Sequence, residues 1–375
     1  MLRARGRRGR RTYLIGVAGH PNFGDEAITR GWLRWLAKHR PRDEVWLDVP
    51  NPAGAAALLH GEHPHLVVVD TVHRLGLDAD PTSAGSVVAH VDQVLTEPWR
   101  APRWLAGIEA LRSADVVHLV GGGFVNAQRP HPASVLAAMS WMGEHTPARL
   151  AISGAGLTPG FTELPELYAT LGPRLEVATV RDPESALLLP TAEVGADDVW
   201  LGGVEQHLDQ RAGTADVMVI AQGDGHDRLD ELASTVGDLL DAWGVGADDF
   251  AVVEANPPVD GHVRAALEER FGDHRFHSFG EVVTHGLPAR RGQRWITTRY
   301  HPHLLAAAVG ASGVAISVSD GYYDVKHRAV TAAGSGWPVI GIGDAPVDAG
   351  DAGDLPGRAG EHAAGLARLA ARIHA

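Results

Sequence analysis

Tyr13-Leu14-Ile15-Gly16-Val17-Ala18-Gly19-His20-Pro21-Asn22-Phe23-Gly24-Asp25-Glu26-Ala27-Ile28 is the stretch from which the architecture can be read. An apolar run, Leu14–Ala18, leads into a glycine-containing turn, after which Ile28, Trp32, Trp35 and Leu36 recur at i, i+4, i+7 and i+8. The run reads as a buried strand and the recurrence as one stripe of a helix. Strand, glycine turn and helix open a doubly wound α/β unit, where bare backbone and a helix N-terminus meet at the carboxyl end of a strand. The spacing is not the G-x-G-x-x-G of a dinucleotide fold, and no Gly-Lys-Ser/Thr closes it as a phosphate loop. Asp25 and Glu26 in the first helical turn have two readings: they satisfy the helix dipole, or they serve a ligand.

The same alternation continues outward. Strand-like runs recur at Val45–Val49, Leu66–Asp70, Val116–Gly121, Leu150–Gly154, Val177–Arg181 and Val199–Gly202. A second set follows at Val217–Ala221, Phe250–Glu254, Trp295–Thr298, Val314–Val318 and Val339–Ile342. Helix-period stretches lie between them, such as Leu229, Leu232, Val236, Leu239 and Leu240. Near-continuous apolar strands alternating with helices imply parallel sheets covered on both faces. A chain of 375 residues exceeds one ordinary core, so two domains are expected. The expected fold class is α/β, two Rossmann-like doubly wound domains facing a cleft. Their expected bounds are 13–207 and 214–375, joined by a polar linker within Glu205–Ala215 and preceded by a basic disordered tail over 1–12. Gly343–Gly360 reads as a long loop and His362–Ile373 as a closing helix.

The totals narrow the functional classes. Lys and Arg number 33 against 46 Asp and Glu, a formal net charge of −13, which argues against a nucleic-acid binder. A small anionic ligand stays compatible, because a few converging cations outweigh a distant acidic background. With no cysteine, disulfides, thiolate metal sites and Cys nucleophiles are excluded. No apolar run approaches the ~20 residues that span a bilayer, so no transmembrane segment is expected. Six arginines between Arg3 and Arg11 precede an apolar run too short for a signal peptide, which makes the cytoplasm the expected location.

Five loops at expected strand ends carry the chemistry. The first is the opening turn. The second, Gly121-Gly122-Gly123-Phe124, and the third, Ser153–Gly160, leave backbone bare at the carboxyl ends of strands; each is a flexible loop or a ligand contact. In the fourth, Val180-Arg181-Asp182-Pro183-Glu184-Ser185, an arginine on the last residue of a buried strand needs a partner. That partner is Asp182 or an anion in the cleft. The fifth places Arg299-Tyr300-His301-Pro302-His303 after one strand and Asp320 to Lys326 after the next. Arg suits planar oxyanions, Lys supplies a point charge, and His exchanges protons near neutral pH. A His301/His303 metal site is the weaker reading, since no carboxylate pattern completes it, and no metal is expected.

Taken in order, Asn22-Phe-Gly-Asp25-Glu26-Ala-Ile, Gly121-Gly-Gly, Gly154-Ala-Gly-Leu-Thr-Pro159, Arg181-Asp182-x-x-Ser185, Arg299-Tyr-His301 and Tyr323-Asp324-Val325-Lys326 resemble the polysaccharide pyruvyl transferase family. The resemblance runs from about Leu14 to Gly336. It implies a two-domain fold of the glycosyltransferase-B-like kind, phosphoenolpyruvate as donor, and a pyruvate ketal on a sugar, glycan or other polyhydroxyl acceptor. It places Arg181, Arg299, His301 and Lys326 on the donor, with Gly122 and Gly123 on the same side, and Asn22 and Asp25 on the acceptor side. His301 would be the general acid, with Arg181 and Arg299 holding phosphate and carboxylate and Lys326 as a further cation. The co-substrate is phosphoenolpyruvate and no cofactor is expected. Two departures bear on acceptor identity: Gly202-Gly203 stands where the family keeps an aspartate, and Asp70–Ala101 matches no family motif. A nucleotide-sugar glycosyltransferase is the rival enzyme, with Glu254 or Asp320 available to a donor ribose. A non-catalytic module is the third reading, and it sits poorly with Arg181, Arg299, His301 and Lys326 all being present.

Overall fold

The computed structural model describes residues 9–211, 215–223, 227–319, 321 and 323–375. The chain gathers into two compact units. The first holds the described residues up to His20, Ile28–Leu201 and Gly365–Ala375; the second holds Pro21–Ala27 and Gly202–Ala364.

The first unit is built on β1 (Arg11–Ile15), β2 (Glu44–Asp48), β3 (Leu66–Val69), β4 (Val116–Leu119), β5 (Arg149–Ala155), β6 (Leu175–Val180) and β7 (Glu193–Val194). They form one sheet in the order β3-β2-β1-β4-β5-β6-β7, and every pairing is parallel. The chain starts in the middle, winds to one edge and then to the other, so the switch point falls between β1 and β4. Of the helical stripe, Ile28, Trp32 and Leu36 are buried and Trp35 is half-buried. The second unit repeats the scheme with β8 (Val217–Ile220), β9 (Phe250–Val253), β10 (Arg275–His277), β11 (Arg294–Thr297), β12 (Ser312–Ser317) and β13 (Val339–Gly341). Their order is β10-β9-β8-β11-β12-β13, again parallel throughout. Leu232, Val236, Leu239 and Leu240 pack in its core with Val217, Val219 and Ile296.

Four local expectations change. Val199–Gly202 is not a strand: Asp198–Trp200 forms a 3-10 turn capped by Asp197, whose Oδ1 accepts from Val199 N at 2.9 Å. The apolar side chains there are buried as expected, but the capping Asp197 carboxylate favours a turn over an extended run. The closing helix spans Leu355–Ile373, starting within the expected loop, because Leu355 is a fully buried anchor. Arg11 and Thr12, expected in the tail, open β1; residues 1–8 lie outside the described residues. The expected linker contains a 3-10 turn, Val204–His207, and Leu208 bridges to Leu287; residues 212–214 lie outside the description. The short strands β7 and β10 went unread because neither carries an apolar run.

Candidate active site

In the second unit, β11 ends at Thr297 and Thr298 continues it. Thr298 N donates to Ile220 O at 3.1 Å and its hydroxyl accepts from Gln222 N at 2.8 Å. The chain end is thereby locked to β8 before Arg299 turns it into the helix Tyr300–Ala308. The Arg299 guanidinium is ion-paired with Asp260, with only 10% and 4% of the two side chains exposed. The other Asp260 oxygen accepts from Ala255 N at 2.8 Å and Asn256 N at 2.7 Å. Burial pushes the Asp260 carboxyl up from its ordinary range, with Arg299 pulling against it. The guanidinium is therefore held in one orientation by a carboxylate that is itself fixed to the end of β9.

His301 follows in the first turn of the same helix and is buried. Its ring lies against the backbone of Gly24: a Cβ built on Gly24 would stand 1.8 Å from His301 Nδ1. Glycine is demanded here by close approach. The opening turn is held in this unit by Phe23 N, which donates to Ala255 O at 3.2 Å. Within the turn Asn22 Nδ2 donates to Asp25 Oδ2 at 2.7 Å. Asn22 and Asp25, expected on the N-terminal domain, thus group with the second unit alongside Arg299 and His301. Lys326, on the helix Tyr323–Ala333, is in the same unit, its ammonium 4.8 Å from the Tyr323 ring centroid. Asp320 lies outside the described residues.

His303 is not available as a metal partner for His301. Its Nδ1 meets His327 Nδ1 at 3.1 Å and its Nε2 meets Ser335 Oγ at 2.9 Å. Among the described residues no group of three or more His, Asp or Glu side chains is placed to hold a metal.

Arg181 belongs to the first unit, directly after β6. Its Nη1 donates to Asp197 Oδ2 at 2.9 Å, with 4% and 1% of the two side chains exposed. Asp182 is not its partner; it caps the next helix, accepting from Ser185 N at 2.7 Å. Ser185 Oγ in turn accepts from Leu157 N at 2.7 Å, tying this motif to the Gly154–Pro159 loop. Gly156 lets the guanidinium lie close, since a Cβ there would stand 2.8 Å from Arg181 Nε.

The glycine loops of this unit converge on a carboxylate that sequence reading missed. Asp198 Oδ2 accepts from Gly121 N at 2.8 Å, Trp32 Nε1 at 2.7 Å and Ser153 Oγ at 2.5 Å. A Cβ on Gly121 would stand 2.8 Å from Asp198 Cβ, and one on Gly154 2.8 Å from Asp198 N. Complete burial raises the Asp198 carboxyl to about 7 against these donors. Gly121 is bare so that Asp198 can dock, while Gly122 and Gly123 stay in the loop, Gly122 O accepting from Gly156 N at 2.8 Å and Gly123 O from Asn126 Nδ2 at 2.7 Å. The signal for Asp198 was present: two adjacent aspartates before an apolar Val-Trp-Leu run. Gly202 and Gly203 adopt φ of 89° and 92°, a region that strains other residues.

The family model for polysaccharide pyruvyl transferase matches residues 22–320. The chain belongs to the polysaccharide pyruvyl transferase family. No curated protein matches it. Among solved structures, it is similar to a protein assigned as a UDP-N-acetylglucosamine 2-epimerase from Listeria monocytogenes, at 11% identity and TM-score 0.52, covering 98% of this chain and 91% of that one. A second UDP-N-acetylglucosamine 2-epimerase aligns at 12% identity and TM-score 0.52, over 90% and 84% of the two chains. A spinosyn rhamnosyltransferase aligns at 15% identity and TM-score 0.47, over 97% and 94%. The fold class is two Rossmann-like α/β domains of the glycosyltransferase-B-like type. In this pyruvyl transferase family member, no described helix is long and apolar enough to cross a membrane.

Proposed function

We propose that the protein moves the pyruvyl unit of phosphoenolpyruvate onto hydroxyls of a sugar or glycan intermediate, closing a ketal and releasing phosphate in the cytoplasm. The observation that carries the reading is the fixed placement of Arg299 and His301, one by Asp260 and the other by Gly24, in the unit that also holds Lys326. A donor with a carboxylate and a phosphate flanking a double bond asks for that set: a planar fork, a point cation and an imidazole.

In this reading His301 gives a proton to the methylene carbon while an acceptor oxygen attacks the adjacent carbon and loses its own proton. A second hydroxyl of the same acceptor then forms the other C–O bond as the bond to phosphate oxygen breaks, and its proton leaves with the phosphate. A positioned proton donor contributes about 10²–10⁴-fold, and Arg299 with Lys326 would stabilise the departing charge. The resemblance also implies a donor contact for Arg181, proposed on that ground alone and tested separately below. Asn22 and Asp25 fit the acceptor hydroxyls, as a mutually bonded polar pair on the turn that carries Gly24. No cofactor enters the scheme.

The nucleotide-sugar alternative is weakened by Glu254, whose Oε2 accepts from Phe279 N at 2.9 Å at a helix start, a duty that competes with holding a ribose. Incubation with phosphoenolpyruvate and a panel of polyhydroxyl acceptors should release phosphate and yield a product heavier by one pyruvyl ketal. Thermal stabilisation by nucleotide-sugars and not by phosphoenolpyruvate would reject the reading.

A further inference from the structure

Three segments of the second unit carry the proposed donor residues: the end of β11, the helix Tyr300–Ala308 and the helix Tyr323–Ala333. Two fully buried imidazoles that take no part in the scheme above join all three. His327 Nε2 lies 3.2 Å from Thr298 O, the carbonyl of the peptide bond that leads into Arg299. His327 Nδ1 lies 3.1 Å from His303 Nδ1, and His303 Nε2 lies 2.9 Å from Ser335 Oγ. Ser335 Oγ also accepts from Trp337 N at 3.3 Å, and the His303 ring stacks on Trp337 with centroids 4.7 Å apart.

The bonds fix where each proton sits. A carbonyl only accepts, so His327 carries its proton on Nε2. Burial holds both imidazoles below their ordinary range, His327 at about 4, so each ring is neutral and carries one proton. His327 Nδ1 is then an acceptor, which obliges His303 to donate from Nδ1. His303 Nε2 in turn accepts from the Ser335 hydroxyl. The order runs in one direction, from Ser335 through His303 and His327 to Thr298, with one proton in each link.

We infer that His303 and His327 are positioning residues for the transfer step: their ordered hydrogen-bond chain sets the mutual placement of Arg299, His301 and Lys326. His327 is the neighbour of Lys326, His303 stands two residues beyond His301 on one helix, and the Thr298 carbonyl belongs to the peptide that aims Arg299. Removing a link lets one segment shift against the others, and displacements near 1 Å at a reacting centre cost on the order of 10²-fold. The inference rests on the function proposed above, and its tests separate the two.

The tautomers are read without any substrate, by nitrogen-15 NMR of the histidine rings. The expected result is His303 protonated on Nδ1 and His327 on Nε2; the opposite tautomer at either ring overturns the inference whatever the activity. In turnover with phosphoenolpyruvate, His327→Phe should lower kcat about 100-fold and Ser335→Ala about threefold. The Kd for phosphoenolpyruvate should change less than threefold, and His327→Gln, which restores a donor and an acceptor, should recover most of the loss. A soluble His327→Phe with wild-type kcat per folded molecule, or a Ser335→Ala that changes only the melting temperature, would assign the chain to stability alone. Absence of phosphate release by the unsubstituted protein with every acceptor would instead count against the proposed reaction.

Discussion

Each unit sets an arginine just past the end of a parallel strand and pairs it with a buried aspartate: Arg181 with Asp197 in the first, Arg299 with Asp260 in the second. The surroundings differ. Arg181 lies across Gly156, in a region organised by Asp198, which collects Gly121, Trp32 and Ser153. Arg299 opens the helix that carries His301, in a region organised by imidazoles, where His303 and His327 link the segments around it. The same ion pair thus closes a carboxylate-centred framework in one unit and borders the proposed proton donor in the other. A buried pair tells little about function until its neighbours are known.

The largest test of this contrast is His301→Asn. It should cut phosphate release from phosphoenolpyruvate at least about 10³-fold, within the span of a lost proton donor, while donor affinity by calorimetry stays within threefold. A near-normal rate would remove the feature that distinguishes the second unit. Arg299→Lys comes next, with kcat/KM for phosphoenolpyruvate about 100-fold lower, because a point charge loses the planar fork. The parallel Arg181→Lys should raise the donor KM about fivefold and also lower the melting temperature. An unchanged KM with lowered stability would make Arg181 a structural strut and sharpen the difference between the units.

Gly24→Ala should lower kcat at least about tenfold and lower the melting temperature as well, since the new Cβ would stand 1.8 Å from Nδ1 of the buried His301 ring. Unchanged kcat in that variant would mean the ring has another place to go.

The smallest effect is the response to acid. His73, His118, His303, His327 and His374 are all held below their ordinary range by burial, His73 and His327 at about 4 and His374 at about 3. Between those values and about 6.5 the unfolded chain binds protons that the folded one does not, so stability falls as pH falls. Asp48 and Asp198, raised to about 7, act the other way: their folded carboxyls stay protonated while the unfolded ones ionise. Both lie in the first unit. His73, His118 and His374 share that unit, while Asp260, also raised by burial, shares the second with His303 and His327. In each unit these imidazoles outnumber the raised carboxyls by one, so acidification from pH 7 to pH 5 should lower hydrogen-exchange protection modestly in both. Protection that holds or rises on acidification would show that the carboxyls outweigh the imidazoles.

The strands and the motif-bearing loops were legible because apolar runs, helical stripes and glycine turns are local signals. The pairing of the arginines was not. Asp260 and Asp197 lie 39 and 16 positions from their partners, and nothing local marks an aspartate as buried. Arg181 with Asp182 was the natural reading by adjacency, yet Asp182 is spent on a helix cap. The turn bearing Asn22 and Asp25 was read with the domain in which it starts, because sequence order gives no sign that Pro21–Ala27 packs with the other unit.

Gly365–Ala375 belongs to the first unit, although the whole of Gly202–Ala364 comes before it in the chain. His374 lies 5.8 Å from the Trp32 ring and 5.4 Å from the His118 ring, and Ile373 is buried. During synthesis the Trp32 and His118 surface is therefore covered only after Gly202–Ala364 has been made.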